Sequence, residues 1–427
     1  MKQVLIVYPH WPPSNLVGVH RVRLIANELH DLGWKAIVLT VDHRDYEEPS
    51  DEDGLKLVAP EVEVIKVRAR SVMKLFGKRL IGDIGLRSYT QLRDKALELC
   101  YNRPIDFAWI SMPSWYPSLI GRKLHRLGIP FGIDYQDPWV YDLPAGTKLW
   151  SRAAWTIRMA KFLEPIAVRN ASAITGINRA YFQGVLDRNP PLRDVEHGAF
   201  QLGFSKRDHQ IELPQLISPW QPEERIFIYA GAFLPMSLPL WERLFEAMAL
   251  LKSRDALDPN IRLYLFGTGQ DHHRSLDEIA SDFGIGKIIV EHPGRIPFLH
   301  VQEFLRRAEG VLSIGSTEVH YSASKTFQCL LSGNKLFAYF HALSEAKDIL
   351  EACQASAYFV PYEESNAAID ECDSLATSLL HFFDASATSW KPHLEPLNNY
   401  SSRRSAQALI ATVERALEEP NGNQNRK

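Results

Sequence analysis

The chain has 427 residues, and at about 150 residues per domain this length predicts two or three domains. Hydrophobic residues make up 45% of the chain and the net charge is −3, so large apolar cores are expected and no overall positive field would attract nucleic acid. Four scattered cysteines without a CxxC pair argue against a disulfide framework or a structural zinc site and favour a reducing compartment.

The N-terminal apolar run VLIVY is too short for a signal peptide. No window approaches the roughly 18 uncharged apolar residues that cross a bilayer. These two observations predict a cytoplasmic protein.

In the first half of the chain, short apolar runs alternate with stretches of helical length. Strands are predicted over 3–8, 35–41, 62–67, 106–111, 131–135 and 172–175, and a helix over 19–32 ends at Gly33. Apolar strands separated by helices are typical of a parallel sheet covered on both faces. The alternation stops over 188–224, where prolines and polar residues predict a linker.

The same alternation restarts after the linker. Strands are predicted over 225–231, 262–269, 287–294, 310–315 and 335–340, with helices over 238–252, 271–283, 324–332 and 401–418. The last helix carries apolar residues at helical spacing, which predicts that it packs against a domain. The polar segment EEPNGNQNRK predicts a disordered tail. The pattern as a whole indicates an α/β protein with two doubly wound halves.

In open α/β sheets, ligands bind beyond the carboxyl ends of the strands. After the first strand, Gly18 precedes a helix bearing Arg21, an arrangement that could hold an anion or be a plain glycine loop. After the fifth strand come two aspartates and an aromatic residue, a common sugar-binding combination, although an aspartate here could equally cap a helix. The loop SMPSWYP should line the same cleft. The acceptor-side candidates from these loops are Ser114, Trp115, Asp134, Asp137 and Trp139.

The second half offers three loops of the same kind. Gly267 lies in a glycine loop, and Gly294 and Arg295 follow the next strand. Ser324 and Lys325 stand where a helix should begin. A helix start with a lysine favours a pyrophosphate, and the alternative is a capped helix with a surface lysine. The adjacent His272 and His273 lack spaced partners, so no metal site is predicted.

Taken in order, several segments resemble the GT-B glycosyltransferases, specifically the family-four group that builds bacterial polysaccharides. They are QVLIVYPHWPPSNLVGVHRVRLIANELHDLGW, IDYQDPW, YAGAF, LYLFGTG, HPGRI, ASKTFQCLLSGNKLFAYF and NYSSRRSAQALIATVERAL, and they extend over nearly the whole chain. The resemblance implies two Rossmann-like domains that face a central cleft. The acceptor-binding domain would cover 1–205 and the nucleotide-sugar domain 206–395. In 396–427, a helix would cross back onto the first domain.

The resemblance also implies roles for individual residues. It places Gly18, Arg21, Gly267, Gly294, Arg295, Ser324, Lys325 and Gln328 at the donor, and Glu318 at the sugar hydroxyls. Lys325 would stabilise the leaving diphosphate, and Asp137 would orient or deprotonate the acceptor hydroxyl. The implied reaction transfers a hexosyl group with retention from a nucleotide-diphosphate sugar to a saccharide or lipid-linked acceptor, without metal or other cofactor.

The chain departs from the family pattern at two places. Nine residues separate Glu318 from Gln328, where the family has two more closely spaced glutamates. The segment YAGAFLPMSLP lacks the Arg and Lys that relatives place there, so Lys325, Arg295 or Arg21 would have to supply that charge. Two alternatives therefore stay open: a nucleotide-sugar 2-epimerase of the same fold, and a catalytically silent donor-binding protein.

Basic and apolar residues are interleaved over 66–93, and a second basic and aromatic set begins at Lys148. Such a composition favours peripheral contact with an anionic membrane, and the alternative is a solvated loop. A lipid-linked acceptor would make contact with the inner face of the plasma membrane useful.

Overall fold

The computed structural model of the chain describes residues 1–75, 78–143, 146–269, 274–318, 324–363, 368–384 and 390–418. The chain divides into two compact units, one formed by Met1–Ser205 with Tyr400–Lys427 and the other by Lys206–Asn399. The predicted disordered tail and the pair His272 and His273 lie outside the described residues.

The first unit is built around a parallel sheet. In chain order its elements are β1 (Lys2–Val7), α1 (Val17–Leu29), β2 (Trp34–Val41), β3 (Glu63–Val67), β4 (Met73–Leu75), β5 (Lys78–Ile81), α2 (Ile84–Asn102), β6 (Phe107–Met112), α3 (Gly121–Arg126), β7 (Phe131–Tyr135), α4 (Arg152–Val168), β8 (Ala173–Gly176), α5 (Arg179–Arg188) and β9 (Glu196–Ala199). The seven-stranded sheet has the order β3-β2-β1-β6-β7-β8-β9, and β4 and β5 form a separate antiparallel hairpin.

The second unit repeats this architecture. Its elements are β10 (Arg225–Ala230), α6 (Leu238–Ser253), β11 (Ile261–Phe266), α7 (Leu276–Asp282), β12 (Ile289–His292), α8 (Phe298–Arg307), β13 (Gly310–Ile314), α9 (Ser324–Leu331), β14 (Lys335–His341), α10 (Glu345–Ala352), β15 (Phe359–Tyr362) and α11 (Ala368–Asp384). The six-stranded sheet has the order β12-β11-β10-β13-β14-β15, and all its pairings are parallel. The predicted pair of doubly wound α/β halves is confirmed.

Both faces of the first sheet are covered. Along β1, Leu5 and Val7 belong to one apolar cluster, whereas Val4 and Ile6 belong to another. Because successive side chains of a strand point to opposite faces, a continuous apolar run is what a doubly covered sheet requires. This pattern is why the strands could be predicted from the sequence.

The last helix, α12 (Ser402–Glu418), packs on the first unit, as predicted. Its Ala406, Leu409 and Val413 join the apolar cluster that includes Val22 and Ile25 of α1. Two polar contacts fix its position: Ser402 Oγ donates to Glu28 Oε1 at 2.6 Å, and Arg415 Nε donates to Glu196 Oε2 at 2.7 Å.

The segment predicted as a linker over 188–224 contains one strand of the sheet. Strand β9 has the sequence EHGA and buries only Gly198 fully, so it carries no apolar run. It pairs with β8 and is packed against α12, and this tertiary contact overrides its weak local preference. Within the described residues, no helix is both long enough and apolar enough to cross a membrane.

Candidate functional site

In each sheet the strand order reverses beside the first strand of the unit. In the first unit, β1 lies between β2 and β6, and in the second, β10 lies between β11 and β13. The loops beyond the carboxyl ends of these strands border the place where doubly wound sheets bind ligands.

In the second unit, the ammonium group of Lys325, at the start of α9, contacts strand β10 and the loop that follows it. Lys325 is the second residue of α9, which follows β13. Its Nζ donates to Tyr229 Oη at 2.8 Å and to the carbonyl of Ala232, just after β10, at 3.2 Å. A methyl group at Gly231 would overlap Cε and Nζ of Lys325. Glycine therefore lets the ammonium group reach the β10 loop, where the sequence has neither Arg nor Lys.

The loops after β10, β11 and β12 are bonded to one another. Gly231 N donates to Phe266 O at 2.9 Å, and Gly267 N donates to His292 O at 2.8 Å. Gly267 has φ +72°, and, apart from its chain neighbours, no atom of the described residues lies within 4 Å of the place where its Cβ would stand. The backbone conformation itself therefore favours glycine here.

The remaining predicted donor residues of the second unit are spread along this edge. Gly294, Arg295 and Glu318 are exposed, and Ser324 opens α9. Gln328 is half-buried, and its Oε1 accepts from Gln302 Nε2 at 2.5 Å.

A half-buried histidine also contacts Gln328. His209 forms a side-chain hydrogen bond with Gln328, and burial together with the charge of Arg306 lowers the pKa of His209 to about 4. Gln328 is thus held by a neutral hydrogen-bonded cluster.

In the first unit, Arg21 and Asp134 form an ion pair in which both side chains are fully buried. Arg21 Nε and Nη2 donate to the two carboxylate oxygens at 2.8 and 2.7 Å, and Nη1 donates to Phe200 O at 2.7 Å. Ser111 and Thr175 also donate to the carboxylate, at 2.9 and 2.8 Å. Such bidentate pairing occupies both charged groups.

This geometry differs from the roles predicted for Arg21 and Asp134. They were expected at the donor phosphates and at the acceptor, but both side chains are fully buried and paired with each other. At Gly18, a methyl group would overlap Tyr8 Oη and stand 3.1 Å from Gln136 Oε1. The glycine therefore permits close packing inside the first unit, and its predicted place at the donor phosphates stays a prediction.

A pocket of about 230 Å³ lies in the first unit, between the loops after β1, β2, β5 and β6 and the start of α2. It contains one predicted acceptor-side residue, Ser114, and its other members were not predicted. They come from distant parts of the sequence, and no local motif joins them. The lining residues are His10, Glu47, Glu48, Gly82, Asp83, Ile84, Arg87 and Ser114.

Two carboxyl groups of this pocket have pKa values shifted in opposite directions. Burial acts to raise the pKa of Glu48. Its hydrogen bonds with His10 Nδ1 at 2.7 Å and Ser14 Oγ at 2.6 Å have the larger opposite effect, and the pKa is lowered to about 2. Burial raises the pKa of Asp83, although Asp83 Oδ1 accepts from Leu86 N at 2.7 Å and caps α2. Carboxyl groups in such contrasting environments suit a site that binds hydroxyl groups or exchanges protons with them.

The lowered pKa of Glu48 predicts a pH-dependent contribution to stability. The contribution is fully present above the ordinary value of 4.5 and is lost as the pH falls towards the folded value of about 2. Between about pH 6 and pH 3, we expect the wild-type protein to lose more unfolding free energy than Glu48→Gln, measured by urea denaturation. The control Glu47→Gln changes the exposed residue next to Glu48. It should lose as much unfolding free energy as the wild type over this pH range. The same pH dependence in all three proteins would contradict the assignment.

The remaining acceptor-side candidates lie in the loops after β6 and β7. The rings of Trp115 and Trp139 stack with centroids 5.8 Å apart and an interplanar angle of 5°. Asp137 is exposed, and nearby protein atoms displace enough water to raise its pKa. Within the part of the chain that the structure describes, no group of three or more His, Cys, Asp or Glu side chains could hold a metal ion.

Comparison with known proteins gives matches to solved structures alone: no family model matches the sequence, and no curated protein matches it significantly. A glycosyltransferase from Rickettsia africae ESF-5 is 15% identical, with a TM-score of 0.54, covering 98% of this chain and 99% of that one. A sucrose-phosphate synthase from Thermosynechococcus elongatus is 14% identical, with a TM-score of 0.51 and 97% of each chain covered. Anabaena HepE in complex with UDP is 12% identical, with a TM-score of 0.55, covering 97% of this chain and 100% of that one.

These neighbours establish the fold. The chain has two Rossmann-like α/β units of seven and six parallel strands that match GT-B glycosyltransferase structures, as the resemblance implied.

Proposed function

We propose that this chain is a glycosyltransferase that moves a hexosyl group from a nucleotide-diphosphate sugar to a saccharide or lipid-linked acceptor. The observation that carries the proposal is the ammonium group of Lys325, which lies at the start of α9 and beside the β10 loop. The fold supports the same reaction class, since the solved neighbours include HepE in complex with UDP-glucose.

The leaving diphosphate gains negative charge as the bond to the sugar breaks. Positive groups that are already in place where this charge develops give the largest stabilisation, because they need no rearrangement during the reaction. Lys325 has such a fixed position, and the backbone N–H groups of the first turn of α9 would add to its effect. We assign the diphosphate to this place on the second unit.

The rest of the donor would extend along the same edge of the sheet. We propose that Arg295 and the glycines Gly267 and Gly294 receive the nucleotide. Glu318 would accept hydrogen bonds from the sugar hydroxyls, and Gln328 would contact the ribose. As an amide, Gln328 forms weaker hydrogen bonds with hydroxyl groups than a carboxylate does.

The first unit would bind the acceptor. The pocket at Ser114 offers ionised and neutral polar groups for hydroxyls. The ring of Trp115, on the loop after β6, stacks on that of Trp139, which shares the loop after β7 with Asp137. We propose that Asp137 orients or deprotonates the acceptor hydroxyl, because its raised pKa makes the carboxylate a better proton acceptor near neutral pH.

The finer features of the reaction belong to the same proposal. We expect transfer with retention of anomeric configuration, without metal or cofactor, in the synthesis of a bacterial surface polysaccharide in the cytoplasm. The fixed cation Lys325 supports metal independence, because it supplies charge compensation at the diphosphate.

The proposal is tested by incubating the protein with a panel of nucleotide-diphosphate sugars, with and without saccharide and lipid-linked acceptors. We expect release of a nucleoside diphosphate only when an acceptor is present, together with a glycosylated product. A changed sugar nucleotide formed without any acceptor would instead identify the epimerase reaction. Binding of the donor with neither product would identify a silent donor-binding protein.

A further inference from the structure

Helix α4 presents a row of large apolar side chains to solvent. Trp155, Met159 and Phe162 of α4 are 49%, 44% and 66% exposed, and Trp150, two residues before α4 begins, is 81% exposed. We call these four residues the α4 stripe. Positions 155, 159 and 162 share one helix face. The opposite face is buried and includes Ile157. Such a contiguous apolar surface on an otherwise well-packed unit indicates an interaction site.

Basic side chains accompany the α4 stripe along the chain. Lys148, Arg152, Arg158 and Lys161 are exposed. Between residues 146 and 168 the sequence has one acidic residue, Glu164, which is buried and accepts from Arg188 Nε and Nη2, each at 2.8 Å. This stretch of the described chain therefore contributes four exposed cations and no exposed carboxylate, and the nearest exposed carboxylate along the sequence is Asp142.

The basic stretch over 66–93 differs from this arrangement. Arg68 donates to both carboxylate oxygens of Asp45 at 2.7 and 2.8 Å, and Arg93 pairs with Asp94 at 2.7 Å. Arg87 is buried. Three of the cations predicted to meet a membrane are thus neutralised or enclosed, whereas those around α4 face solvent.

We propose that the α4 stripe docks the protein on an anionic lipid bilayer. Tryptophan and phenylalanine on one helix face, flanked by lysine and arginine, are typical of helices that lie in the membrane interface. Arg158 Cζ lies 5.6 Å from the Trp155 ring centroid, so a positive charge stands directly beside the exposed aromatic surface. A symmetric contact with a second copy would bring these cations together and is disfavoured by repulsion. The inference goes beyond the proposed function and does not depend on it.

The test is flotation of the full chain with phosphatidylcholine vesicles that contain or lack phosphatidylglycerol, without any sugar nucleotide. We expect binding to the anionic vesicles, with a blue shift of tryptophan emission. Trp155→Ser/Phe162→Ser should bind at least about tenfold more weakly, since its apolar anchors are gone. The control Ile217→Ser/Leu343→Ser changes residues that are 87% and 74% exposed in the second unit and should bind as the wild type does.

A second pair of variants separates charge from apolar contact. Arg158→Glu/Lys161→Glu should lower the vesicle partition coefficient at least about tenfold at low salt, whereas Lys287→Glu/Lys391→Glu, at exposed positions of the second unit, should change it little. Absence of flotation, or equal loss in the controls, would overturn the proposal. A dimer in sedimentation that Trp155→Ser/Phe162→Ser abolishes, without vesicle binding, would assign the surface to a second copy. None of these outcomes bears on glycosyl transfer, which is assayed separately.

Discussion

Replacing Lys325 by alanine is expected to lower kcat for glycosyl transfer by about 10²–10³, which corresponds to about 2.7–4 kcal/mol of lost transition-state stabilisation. The ammonium group of Lys325 lies where the diphosphate charge would develop, and the β10 loop has no other cation to replace it. The effect should fall on kcat more than on KM, because the charge is largest in the transition state.

The folded state should survive this substitution. Lys325 Nζ contacts one hydroxyl and one carbonyl, so we expect an unchanged circular dichroism spectrum. Lys347→Ala is the matched control: Lys347 lies on α10, 3.9 Å from Glu351 in a surface ion pair, and its loss should leave kcat unchanged. Full turnover by Lys325→Ala would mean that Lys325 does not stabilise the leaving group, and Arg295 would then be the next candidate.

The second large effect is expected at the buried ion pair of the first unit. Asp134→Ala leaves the Arg21 guanidinium fully buried without its carboxylate partner, which typically costs about 3–5 kcal/mol. Hydrogen exchange at the amides of β1 and β7 measures this loss within the first unit, whatever the stability of the second. The surface variant Glu98→Ala, which breaks the exposed pair with Lys95, should cost less than about 1 kcal/mol.

A double variant distinguishes structure from ligand binding at this pair. Arg21→Met/Asp134→Leu removes both charges together, and we expect it to regain much of the stability lost in Asp134→Ala. If Asp134 instead bound the acceptor, Asp134→Ala would keep its stability and lose activity alone. That result would restore the role predicted from the sequence.

The sequence predicts six of the seven strands of the first sheet and five of the six of the second, missing β9 and β15. Burial explains which strands it finds. Both faces of β1 and β10 are covered, so each strand is a continuous apolar run, and glycine or proline marks the turns. Strand β9 lacks such a run, since α12 and β8 supply its packing. Its residues give no local signal, and it was predicted as linker.

The candidate site was predicted less completely. Arg21 and Asp134 stand at a helix start and a strand end, which are also typical places for ligand contacts. Their mutual pairing spans 113 positions in sequence, and no periodicity reveals it. His10, Glu48 and Asp83 also meet in the pocket. They are far apart in sequence, so no local pattern predicts that they share a site. Lys325 was placed by its helix start, but only the structure brings its ammonium group to the β10 loop.

In this mechanism the second unit binds a diphosphate at Lys325. The most direct measurement is calorimetric titration of the wild-type protein and Lys325→Ala with nucleoside diphosphates and the matching monophosphates. We predict that one diphosphate binds the wild type more tightly than its monophosphate, and that this preference largely disappears in Lys325→Ala. Equal affinity of the wild type for the two nucleotides, or an undiminished diphosphate preference in the variant, would contradict the account.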